Sequence, residues 1–106
     1  METNLDRLKE TFGKMKEDGF DVNNVLKWGF FFVGRDKNKL EQVFQEMADH
    51  DYIIEKLDEA DKEWTLVASK IDTLNAEKLH KRNVAFNELA NYYEVEYDGW
   101  DVEKIK

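Results

Sequence analysis

Apolar residues recur along this chain with two periods, one helical and one extended. Leu5, Leu8, Phe12 and Met15 fall three and four apart and predict an amphipathic helix over 3–17, with Thr3 as its cap and Asp6 near its positive end. Gly13 within it costs about 1 kcal/mol relative to Ala. Asp18-Gly19 then stops it, with Gly beyond the cap. From Val25 to Val33 the period changes to two. Leu26, Trp28, Phe30 and Phe32 share one face; Val25, Phe31 and Val33 share the other with Lys27 and Gly29. Apolar residues on both faces mark a central strand, covered on both sides or open on one. Gly34-Arg35 makes the turn. Leu40, Val43, Phe44 and Met47 restore the helical stripe over 38–50, where Asn38-Lys39-Leu40-Glu41 resembles a capping box.

The second half repeats the alternation. A short strand over 52–57 is followed by a charged hairpin loop, Asp58-Glu59-Ala60-Asp61-Lys62, and a partner strand over 64–71 rich in β-formers. Leu79, Phe86, Leu89 and Ala90 predict a helix over 75–91. Tyr93, Val95 and Tyr97 alternate with Glu94 and Glu96 as a last strand over 93–98. Asp98-Gly99 reads as a turn with Trp100 anchored beside it, and 101–106 as a frayed tail.

The order is a helix followed by βαββαβ, so the expected fold is α+β: a ferredoxin-like split βαβ sandwich with helices on one face. Right-handed crossovers are expected to put strands 25–33 and 64–71 parallel at the centre, with 52–57 and 93–98 at the edges. Glu55, Lys56, Glu94 and Glu96 suit edges, because charge discourages wrong pairing. At 106 residues the chain is expected to be one domain.

Composition narrows the function. The chain has no cysteine and no apolar run near the length of a membrane span, and no secretory signal is expected from its first residues. A reducing cytoplasm is the expected setting. The net charge of −8 disfavours direct nucleic-acid binding and favours a protein partner with a basic segment. Trp28, Phe30 and Phe32 beside Trp64 resemble the aromatics of an RNA-stacking sheet, but only Lys27, Lys56 and Lys70 lie in the strands of a chain with net charge −8, so core packing is expected. His50 and His80 lie in different helices and form no ligand motif, and no phosphate loop or nucleophile elbow is present. Of Arg7, Arg35 and Arg82, only Arg35 sits on a strand-to-helix turn, and that turn lacks a glycine-rich cradle. No catalytic residue, metal or cofactor is therefore expected.

Acidic residues gather in two places, the hairpin (Glu55, Asp58, Glu59, Asp61, Glu63) and the closing stretch (Glu94, Glu96, Asp98, Asp101, Glu103) beside Trp100. Asp58, Glu59, Asp61, Glu94, Glu96, Asp98 and Trp100 are the candidate partner-binding residues. Val95-Glu96-Tyr97-Asp98-Gly99-Trp100 resembles the closing motif of the regulator of ribonuclease activity B family, and Glu17-Asp18-Gly19 with Asp21 is a weaker match. The resemblance implies a ferredoxin-like fold and an acidic protein that inhibits ribonuclease E by contact, without catalysis of its own. Asp98, Gly99 and Trp100 are expected to stabilise the fold first. The alternatives are an interaction domain with an unrelated protein partner, a dimer formed through the aromatic strand, and a small-molecule binder or enzyme using a cleft near Arg35.

Overall fold

The computed structural model describes residues 1–105. Helix α1 runs over Leu5–Glu17, strand β1 over Leu26–Gly34, helix α2 over Lys37–Asp49, strands β2 and β3 over Ile53–Ala60 and Glu63–Asp72, helix α3 over Ala76–Tyr92, and strand β4 over Glu96–Glu103. The strands form one sheet in the order β2-β3-β1-β4. This is the ferredoxin-like α+β arrangement, with α1 added in front.

Every neighbouring pair in the sheet is antiparallel. The expected parallel centre is thus corrected. Each crossover does return a parallel strand, β1 to β2 and β3 to β4, but the two members of each pair are not adjacent. A strand of the other unit fills the gap and runs the opposite way. β2 and β4 take the edges, as expected.

β1 supplies the middle of the core. Trp28, Phe30 and Phe32 have no exposed surface, and Leu26 has almost none. Their face meets Leu66 and Ala68 of β3, Tyr97 of β4, and the apolar stripes of the helices: Leu8, Phe12 and Met15, then Leu40, Val43 and Met47, then Leu79, Phe86 and Ala90. Phe86 sits edge-on to Phe30 at 4.9 Å, to Phe32 at 5.6 Å and to Tyr97 at 5.5 Å between ring centroids, an orientation that suits the ring quadrupoles. The Trp28 indole N–H donates to the Asp72 carbonyl at 3.0 Å, so its burial leaves no orphaned donor. The aromatic face is core packing beneath the helices.

The helix ends refine the sequence reading. Asn4, not Thr3, caps α1, its side chain accepting from the Arg7 amide at 3.1 Å. Asp36, not Asn38, caps α2 in the same way at 2.9 Å. All three helices close with paired backbone bonds around a residue at positive φ. After α1 the Gly19 amide donates to Lys16 O and the Phe20 amide to Met15 O; the same pattern recurs at Asp51-Tyr52 and Glu94-Val95. These are Schellman stops, which favour glycine at the left-handed position. Only the first has it; Asp51 and Glu94 adopt φ of 67° and 58° without it.

That geometry corrects the reading of the C-terminal stretch. Tyr93-Glu94-Val95 is the stop of α3, and β4 begins at Glu96. The alternation that resembled a strand is the local sequence of a helix stop. Asp98-Gly99 is likewise not a turn. The chain runs straight through it, Phe31 pairing with Gly99 and Phe32 with Tyr97, so Asp98 is the extra residue of a β-bulge. Gly99 takes φ 141°, which L side chains rarely adopt. The extra residue shifts the alternation, so Tyr97 and Trp100, three apart, both point to the helices. Asp101–Glu103, expected as frayed, pair with β1 instead; Lys106 lies outside the described residues. In the hairpin, Asp58, Glu59 and Ala60 belong to β2, and the turn shrinks to Asp61-Lys62 at φ 53° and 68°. Two positive φ values match a type I′ turn, whose twist suits the flanking strands.

One buried polar pair lies under β4. Tyr97 and Asn83 are 1% and 0% exposed, and the phenol donates to Asn83 Oδ1 at 2.6 Å. Burial pushes the Tyr97 phenol well above its ordinary range, so it stays a donor. Tyr97→Phe should leave that oxygen without its donor and lower stability by about 1–3 kcal/mol, read by chemical denaturation with unchanged far-UV circular dichroism. Glu94→Gly should act in the opposite sense, raising stability by about 1 kcal/mol in the same assay, because glycine relieves the left-handed strain.

Candidate functional site

The structure separates the candidate residues into two groups. Asp58 and Glu59 lie on β2 and Asp61 at its turn, on one edge of the sheet. Glu96, Asp98 and Trp100 lie on β4 at the other edge, with Glu94 just before it. Two of the acids already have cations: Asp58 pairs with Lys56 at 3.4 Å and Glu94 with Lys39 at 3.2 Å. Among the described residues, no ion pair engages Glu59, Asp61, Glu96 or Asp98. Trp100 is half-buried, packs on Trp28 at 5.8 Å, and walls a cavity of about 500 Å³ with Met1, Glu2, Thr3, Asn4, Arg7, Leu8 and Thr11. Its indole is therefore part of the seam between α1 and β4.

The helices cover one face of the sheet and leave the other open. Register places Lys27, Gly29, Phe31 and Val33 of β1 on the open face, beside Thr65, Val67, Ser69 and Ile71 of β3 and Glu96, Asp101 and Glu103 of β4. A groove of about 270 Å³ runs across it, lined by Lys27, Gly29, Phe31, Glu55, Val67, Ser69, Asp101 and Glu103. All four strands contribute. Glu55 reaches the groove because β2 also carries an irregularity between Ile54 and Lys56. Its Oε1 accepts from Ser69 Oγ at 2.6 Å and pairs with Lys27 Nζ at 2.9 Å. The Ser69 hydroxyl and the Lys27 ammonium hold the Glu55 carboxyl below its ordinary range, and Glu55 in turn holds Lys27 above its own.

Asp101 stands opposite. Its carboxyl lies over the backbone of Gly29, and a Cβ at Gly29 would collide with Asp101 Oδ1. Contact with the sheet strips part of its hydration, and Glu103 adds like charge; together these raise its pKa above the ordinary carboxylate value, against the opposing pull of Lys27 and the Gly29 backbone. The sequence reading counted Asp101 and Glu103 among the closing acids but left them off the sheet and out of the candidate set, because it ended the last strand too early. The signal was present: Trp100 and Val102 alternate with Asp101 and Glu103 as a half-buried strand should.

This arrangement has the makings of a contact surface. Among the described residues, no group of three or more His, Asp and Glu side chains is placed to hold a metal ion. His80 is engaged with Thr3 Oγ1 at 3.0 Å and His50 with the Glu46 carbonyl at 2.8 Å. Arg35 is exposed at the turn between β1 and α2. No helix among the described residues is long and apolar enough to cross a membrane.

The raised Asp101 pKa gives a pH test. The folded chain holds this proton more tightly than the unfolded chain does, so stability falls as pH rises from the ordinary carboxylate value through the raised one. Asp101→Asn removes the charge that causes the loss. It should therefore be slightly more stable than the parent at about pH 7, and the gap should close by about pH 3, read by paired urea denaturation.

A comparison with curated proteins found no match. The family model described as regulator of ribonuclease activity B matches residues 5–102, from the first residue of α1 almost to the end of β4. With nearly every element inside that match, the chain belongs to the regulator of ribonuclease activity B family.

Proposed function

We propose that this chain is a non-catalytic regulator that binds ribonuclease E and modulates RNA cleavage by protein contact in the cytoplasm. The observation that supports this most directly is a row of carboxylates on β4, in a member of a family of ribonuclease regulators. Glu96, Asp98, Asp101 and Glu103 follow one another along eight residues, and none is ion-paired among the described residues. With a net charge of −8, such a row repels RNA and attracts an Arg- or Lys-rich segment of a protein. Occupying that segment would hinder RNA access to the ribonuclease or rearrange its complex. Trp100, held in the seam with α1 on the helix side of the same strand, offers a half-buried apolar edge behind the row.

The test is RNA cleavage by the host's own ribonuclease E with this protein titrated in, at two salt concentrations. Saturable inhibition that weakens as salt rises is expected, because exposed charges are screened. The double reversal Glu96→Lys with Asp98→Lys should weaken inhibition by about tenfold while the fold persists, since both side chains are exposed. Cleavage unaffected at any concentration, with no binding, would sink the ribonuclease E reading.

A further inference from the structure

We propose that the helix-free face of the sheet is the docking surface, and that it takes a polypeptide segment in which an apolar side chain is flanked by Arg or Lys. This rests on reading the chain as a protein-binding regulator, but not on the identity of the partner.

The apolar part comes first. Phe31 and Val67 floor the groove, and Ile53 and Ile71 continue the same face while 58% and 55% exposed. Cross-strand register makes this one surface: Ile53 is opposite Ser69, and Ile71 lies two residues further along β3. A sheet face that keeps this much apolar area in water is a contact surface more often than a solvated one. The edges are poorer candidates. Both edge strands carry bulges and charged side chains, devices that obstruct strand addition.

The charges choose the occupant. Lys27 is taken by Glu55, and Lys56 by Asp58. Glu96, Asp101 and Glu103 remain on the β4 side of the face without an ion pair among the described residues. Asp101 and Glu103 crowd each other, so an incoming cation gains from both. A second copy of this chain would bring the same surplus of carboxylates against them, and RNA would bring phosphates; both are disfavoured. A basic segment with an apolar anchor satisfies both halves of the surface.

Three synthetic twelve-residue peptides test this against the isotope-labelled full chain by amide chemical-shift mapping. One carries a Phe-Leu pair flanked by arginines; the second replaces the arginines by Glu, and the third replaces Phe-Leu by Ser. The first should bind saturably and move the amides of Gly29, Phe31, Val67, Ser69 and Ile71. The other two should bind about tenfold more weakly or worse. Ile71→Glu and Glu103→Lys, each checked for an unchanged melting temperature, should weaken the first peptide similarly, while Asp61→Lys at the hairpin tip leaves it within about twofold. Shifts confined to the hairpin, no saturable shift, or an Ile71→Glu chain that binds as the parent does would overturn the proposal. So would the same amides moving with protein concentration alone, which signals a second copy, or with single-stranded oligouridine. Failure of the ribonuclease titration beside success here would discard the partner and keep the surface.

Discussion

Burial of alternate residues of β1 is the constraint on which the rest of this structure depends. Leu26, Trp28, Phe30 and Phe32 put three large rings and an aliphatic side chain on one side of a single strand. Each fully buried ring is worth roughly 1.5–3 kcal/mol relative to exposure, a large part of a domain's net stability. Three helices are needed to cover that face, and β3 and β4 must lie on either side to pair the backbone. The strand order follows from this demand. The other face of β1 carries Lys27, Gly29, Phe31 and Val33, a mixture that no helix covers.

Side-chain hydrogen bonds then fix how the covering helices sit. Tyr97 binds Asn83 of α3 on the core side of β4. Arg82, one residue earlier, donates to Asp72 at the end of β3 through two nitrogens at 3.2 Å each. Tyr93, at the end of α3, donates to Glu46 of α2 at 3.1 Å. Thr3 meets His80, tying the start of the chain to the same helix. α3 is thus joined to β4, β3, α2 and the N-terminal segment. The polar contacts add direction to a core whose apolar burial has none.

The element order was legible in the sequence because period two and period 3.6 are each sustained over most of their segments. Helix α1, strand β1 and helix α2 lie within two residues of where the pattern put them. Legibility failed where a special backbone conformation stood on an unexpected residue. Glu94 and Asp51 hold left-handed positions that favour glycine, so nothing marked Glu94 as a helix stop. Asp61-Lys62 makes a tight turn without the usual Asn-Gly, so the loop looked longer than it is. Asp98-Gly99 has turn composition and forms a bulge, which hid the part of β4 from Gly99 onward. The acidic character of the candidate site was plain from composition. Its separation into two edges followed from the topology. The open-face groove was not legible, because Glu55, Ser69, Gly29 and Asp101 come from four strands and meet only through register.

The bulge at Asp98 sets which side of the sheet each part of β4 faces. Glu96 and Asp101 are five apart, so an unbroken strand would place them on opposite faces; the extra residue places both on the open one. The same shift sends Tyr97 and Trp100 inward together. Pairing every residue of this stretch in turn, with no bulge, would leave room for only one of those two aromatics in the core. It would turn the carboxylates beyond it toward the helices and bring Trp100 and Val102 out onto the groove. The bulge at Asp98, and the glycine after it that permits the conformation, therefore decide whether the strand beyond them shows water carboxylates or aromatic rings.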